Sequence, residues 1–200
     1  MTKGRVEAFS DAVIAVLITI LVLELELPHE GTSLAALRPL FPTFTSYVLS
    51  FIFLAIYWNN HHHLMHAVKH IDGASMWANS HLLFWLSLVP ATTAWMGSTH
   101  YATTPVALYG AVLFMSGIAY TILVRRLCAP RVGNTTLKVA VGRDRKGWVS
   151  LAMYATAIPM AFVYRWIAVG IYVLVAATWL IPDTRIERRL PHEPESAAAD

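Results

Sequence analysis

The sequence predicts an all-α membrane protein of six transmembrane helices, with the N- and C-termini both cytoplasmic. Three observations predict it. The chain is 56% hydrophobic and only 14% charged over 200 residues, whereas soluble domains carry about a quarter charged residues. Too few polar groups remain to cover a surface in water. The apolar residues fall into six runs near the length of a bilayer crossing, about 20 residues. All but two of the Lys and Arg residues fall on one side of those runs.

The six runs follow in order. The first spans about residues 6–27, and the second about 40–64, with no ionisable residue before His61. The third covers about 76–97 and the fourth about 104–124. The fifth, about 148–164, and the sixth, about 166–181, are separated by Arg165 alone. A single helix of that combined length would be too long for one crossing, so a tight hairpin is expected there. Residues 1–190 form one six-helix domain in this reading. The Pro-, Glu- and Ala-rich stretch 191–200 reads as a disordered cytoplasmic tail.

Basic residues in short loops stay on the cytoplasmic side. With the N-terminus inside, only Arg38 and Arg165 of the 15 Lys and Arg residues lie outside. The reverse orientation would invert that balance. Trp58, Trp77, Trp95, Tyr101, Trp148, Tyr164, Trp166 and Trp179 fall near span ends, where interfacial anchoring and plain packing are equally open. The placement suits the cell (inner) membrane and a multi-pass chain. Asp11 inside the first run, with Glu24 and Glu26 at its far end, argues against cleavage as a signal peptide.

Composition also excludes several classes. The net charge of +3 does not make a nucleic-acid surface, because the basic residues sit between apolar stretches rather than along one helix face. The one cysteine, Cys128, forms no internal disulfide framework. No phosphate-binding Gly loop, G-x-S-x-G or C-x-x-C occurs, and no nucleophile sits beside a base, so an enzyme is not expected. No cofactor is implied.

The first run is the unusual one. Arg5-Val6-Glu7-Ala8-Phe9-Ser10-Asp11 has the form R-x-x-x-F-S-D and leads into an unbroken apolar stretch, Ala12 to Leu23. Ionisable groups at membrane depth face other helices or water. The segment resembles the first helix of the transmembrane protein 175 family of lysosomal and bacterial potassium channels, in its single-repeat bacterial form. Trp58-Asn59-Asn60-His61-His62 resembles the family's second helix, and Asn79 with the stretch ending at Pro90 its third.

The resemblance implies a homotetramer of six-helix subunits whose first helices line a central pore. It implies a passive, potassium-selective leak conductance, with permeating potassium ions as the only ligand. No TVGYG stretch occurs, so a carbonyl-ring filter of that kind is absent. Carried over by distance from Asp11, the apolar constriction falls on Val16, Ile20 and Leu23, with Thr19 beside them as the selectivity residue. Val16 is smaller than the Ile or Leu usual there. At about 100° per residue, Val16, Thr19, Ile20 and Leu23 lie near 0°, 300°, 40° and 340°, one face, with Asp11 near 220°. Such a stripe is equally the mark of an ordinary packing seam.

Arg5, Ser10 and Asp11 begin one helix at the depth where Trp58, His61 and His62 end the next and Asn79 begins the third. The resemblance makes them an interhelical network holding the pore helix, with Arg5 donating to Asp11. Solvated polar residues at helix ends are the alternative. The cluster of His61, His62, His63, His66 and His70 is open to a metal site, a pH sensor or structural histidines; no metal ligand set is assigned. The rival function is a small secondary cation or metal carrier using that cluster and Asp11.

Overall fold

The computed structural model describes residues 2–28, 33–134, 137 and 144–180. Every regular element among them is helical. The tail 191–200 and the basic residues Lys138, Arg143, Arg185, Arg188 and Arg189 lie outside the described residues, as does Ile181 at the end of the sixth run.

Helix α1 covers Lys3–Leu23, a turn earlier at each end than the apolar run suggests. In a bilayer the backbone must satisfy its own N–H and C=O groups, so the helix takes in the polar residues from Lys3 onward. Past Glu24 the chain leaves the helix ahead of Pro28, which disfavours helical geometry at Leu27. A short 3-10 helix, Leu34–Leu40, then enters α2, Phe41–Ala67, with Pro42 in its first turn. There the missing N–H costs nothing.

The third apolar run forms two helices. α3, Gly73–Ser87, is capped by Asp72, whose carboxylate accepts from the Ser75 N–H at 2.8 Å. α4, Val89–Ser98, continues it after a break at Leu88. Pro90 causes the break, because it has no N–H to offer the preceding turn. α5 covers Thr103–Leu127. The turn before it places His100 and Tyr101 at φ of 52° and 58°. Tyr101 is held there by the Thr45 hydroxyl at 2.7 Å and by its ring against Trp166. α6, Arg145–Val163, starts at a cap in which Asp144 accepts from the Gly147 N–H. Tyr164, at φ −156° and ψ 103°, breaks it, and α7, Arg165–Leu180, runs back. The expected hairpin is therefore present, with its break at Tyr164 rather than at Arg165, which already belongs to α7.

Taking α3 and α4 as one bent rod, six rods run alternately up and down. Cross-links at each end fix this arrangement. Where α1 begins, Lys3 donates to the His66 carbonyl, Asn134 bridges His70 and the Leu127 carbonyl, and the Trp179 indole donates to Ser150. At the other end, Thr45 meets Tyr101. The core lies between the rods, around Phe53, Leu54, Tyr109, Leu113 and Tyr172, all buried. Within it, Ser50 joins the Thr93 hydroxyl at 2.6 Å and the Tyr109 hydroxyl at 2.9 Å. Interhelical polar contacts of this kind tie helices together where apolar burial against lipid gives little drive.

The outside of the bundle is apolar. Phe44, Phe51, Trp77, Phe84, Phe162 and Leu174 are exposed, more than a surface in water carries. α1, the run 34–67 and α5 are each long and apolar enough to cross a membrane; α7 is shorter. α1 packs chiefly on α2, α3 and α4, and α5 sits among α3, α4, α6 and α7.

Candidate functional site

α1 presents two contrasting faces. Val6, Ser10, Ile14, Leu17 and Leu21 are buried against the rest of the subunit. They recur every three or four residues, the spacing of one helical face. About 130° around the helix lie Val16, 54% exposed, and Leu23, 76% exposed, with Thr19 exposed between them and Ile20 half-buried at the edge. The stripe is therefore not an internal packing seam: its own subunit leaves it bare. The Thr19 hydroxyl donates to the Val16 carbonyl at 2.7 Å. Its proton is taken up within the helix, and its oxygen keeps lone-pair capacity on the exposed side.

The buried face carries a polar chain. The Asn79 amide of α3 donates to the Ser10 hydroxyl of α1 at 2.8 Å, and Ser10 donates to the Val6 carbonyl at 2.8 Å. The Asn79 carbonyl oxygen lies 2.8 Å from His61 Nε2 on α2. With Asn79 donating to Ser10, its oxygen must accept, so Nε2 carries the proton. His61, Asn79 and Ser10 are all buried. His61 Nδ1 is buried with no hydrogen-bond partner among the described residues.

A second, more exposed set flanks it. The Trp58 indole donates to Asp11 Oδ1 at 3.1 Å. Trp58 stacks on His62, and His62 Nδ1 lies 3.6 Å from Glu7 Oε1. Thus α2 grips α1 through Trp58–Asp11 and His62–Glu7, while α3 grips it through Asn79–Ser10.

Arg5 departs from the expectation. It is exposed and forms no side-chain hydrogen bond or ion pair with the described residues. Six residues along a helix turn about 120° net, which puts Arg5 on the same side as Val16 and Leu23 and turns it away from Asp11. The i, i+6 spacing could have shown this. Glu7 was missed: nothing in the local sequence distinguishes it from a solvated group near a helix end, and only the tertiary fold brings His62 beside it. The His62 ring touches those of His63 and His66, but no set of three metal-binding side chains comes together among the described residues.

Known proteins are similar to this chain. Residues 5–90, from the start of α1 to the proline at the α3–α4 break, match the family described as the endosomal/lysosomal potassium channel TMEM175. A protein named a potassium channel from Chryseobacterium sp. (strain P1-3) is 53% identical over 190 residues, 95% of this chain and 98% of its own. Another so named, from Chamaesiphon minutus, is 29% identical over 86% of this chain and 91% of its own. The crystal structure of a lysosomal potassium-selective channel TMEM175 homolog from Chamaesiphon minutus superposes with a TM-score of 0.77. It is 25% identical and covers 89% of this chain and 96% of its own. With the polar chain on α1 to α3 inside the matched segment and the likeness running through nearly the whole length, the chain belongs to the TMEM175 family.

Proposed function

We propose that the protein is a potassium-selective channel that conducts passively through a pore between subunits. Four copies arranged about one axis would bring the bare stripe of α1, Val16, Thr19, Ile20 and Leu23, to face itself. Family membership and the names of its relatives support the ion and the reaction class. The observation that carries the pore assignment is that one face of α1 is locked into the subunit while the opposite, Thr-containing face is uncovered. Both termini lie in the cytoplasm in this reading, and the chain crosses the cell membrane six times.

The physics follows from that face. A ring of aliphatic side chains gates by dewetting, and a slightly wider ring passes ions that shed part of their hydration shell. Potassium sheds water more readily than sodium, so a weakly polar ring favours it. Thr19 offers an oxygen whose proton is already committed to Val16, leaving an acceptor to replace a lost water. Transport of this kind needs no coupled ion and no covalent chemistry. Asp11, which a carrier would use, accepts from Trp58 on the opposite side of α1.

The test is flux from purified protein in liposomes. A potassium gradient alone should drive it, an imposed proton gradient should leave it unchanged, and sodium should permeate less. Saturable exchange that requires a proton gradient would replace this reading with the carrier.

A further inference from the structure

Away from α1, a cleft opens between α2, α5, α6 and α7 at the end of the bundle where α1 begins. The empty space between and above its walls is about 510 Å3, a figure that includes open space outside the cleft. The deep part is apolar and aromatic, walled by Phe53, Leu151 and Tyr154. Tyr57, Tyr120 and Trp179 add three more rings, and Asp144 stands at the outer end. The Tyr120 hydroxyl donates to the Asn60 carbonyl and the Trp179 indole to Ser150. The Tyr57 hydroxyl has no hydrogen bond among the described residues.

We infer that this cleft is a binding site for an amphiphile bearing an ammonium group, its cationic head at Asp144 and its apolar part among Phe53, Tyr57, Leu151 and Tyr154. A carboxylate at the rim of several aromatic rings selects a cation, because ring faces and carboxylate both attract positive charge and repel an anion. The chain already shows this preference there: the Lys146 ammonium sits 4.8 Å from the centre of the Trp179 ring. The α6 cap uses Asp144 through Oδ1, so the carboxylate can cap and bind together. The Tyr57 hydroxyl gives the occupant a second polar contact within the cleft. Two sources carry this chemistry, a soluble alkylamine and an ethanolamine phospholipid.

The site is tested on the full chain in neutral maltoside micelles, by calorimetric titration with hexyltrimethylammonium, hexanol and hexanesulfonate. Saturable binding of the ammonium alone is expected, weakened about tenfold by Asp144→Asn, the loss of one charged contact. Asn retains the helix cap. Should that variant fail to assemble, Tyr57→Phe provides the measurement and should weaken binding several-fold. Native mass spectrometry after incubation with phosphatidylethanolamine or phosphatidylglycerol separates the sources. Selective retention of the ethanolamine lipid, lost in Asp144→Asn, identifies a lipid; amine binding without that retention identifies a soluble ligand. Equal binding of the sulfonate or hexanol, or unchanged affinity in both variants, overturns the proposal. Potassium flux of Asp144→Asn in liposomes should match the parent, so the site and the pore stand or fall separately.

Discussion

Asn79→Ala is the sharpest probe of how α1 is held. It removes two buried interhelical hydrogen bonds, to Ser10 and to His61, each 2.8 Å long. The two losses are unequal. Ser10 still donates to the Val6 carbonyl, so its proton stays satisfied. His61 already has Nδ1 unpartnered, and without Asn79 the ring would be buried with no partner at either nitrogen. Orphaning a buried donor costs about 1–3 kcal/mol, and an interhelical hydrogen bond in a membrane about 0.6 kcal/mol. The variant should therefore lose about 2–4 kcal/mol, measured by reversible unfolding in mixed detergent micelles. His61→Leu in the same background should recover much of it, because removing both partners leaves nothing stranded. A double-mutant cycle on positions 61 and 79 should give a coupling of at least about 1 kcal/mol. Additive single effects, or an Asn79→Ala loss under about 0.5 kcal/mol, would refute the reasoning.

Other outcomes follow from the same geometry. Thr19→Val keeps shape but removes the oxygen, and should lower the potassium-to-sodium permeability ratio in liposomes; Ile20→Trp should reduce total flux. Asp11→Ala removes the Trp58–Asp11 hydrogen bond and loosens α1, so the tetramer peak on size exclusion should shrink. A Cβ at Gly97 would stand 2.6 Å from Ser46 Oγ and 2.7 Å from Thr43 Cα. Gly97→Ala should therefore push α4 from α2 and lower the unfolding midpoint, by about 1–3 kcal/mol in stability. Gly170, with nothing within 4 Å of its Cβ position, is the control: Gly170→Ala should be neutral or stabilising by a few tenths of a kcal/mol.

The helices were legible because lipid imposes a length and an apolar content on each crossing, and a hairpin beside Arg165 could be anticipated for the same reason. The Leu88 break could have been anticipated too, from Pro90 inside the third run. The facing of Val16 and Leu23 away from Ile14 and Leu17 followed from period alone, but which face would be bare did not, because both are aliphatic. Ser10, His61 and Asn79 lie far apart along the chain, and resemblance rather than spacing brought them together. The resemblance paired Arg5 with Asp11, and helical rotation separates them. The cleft at Asp144 depends on four helices meeting and leaves no trace in any one segment.

The hydrogen bonds from His61 through Asn79 and Ser10 to the Val6 carbonyl all point in one direction, each group giving a proton to the next. Such a relay cannot be edited one letter at a time. Exchange of any middle member reverses or cuts the sequence of donors, so over evolutionary drift positions 10, 61 and 79 should change together or stay fixed. Position 6 enters only through its main chain, and there the side chain is at liberty to vary in any way the apolar packing tolerates.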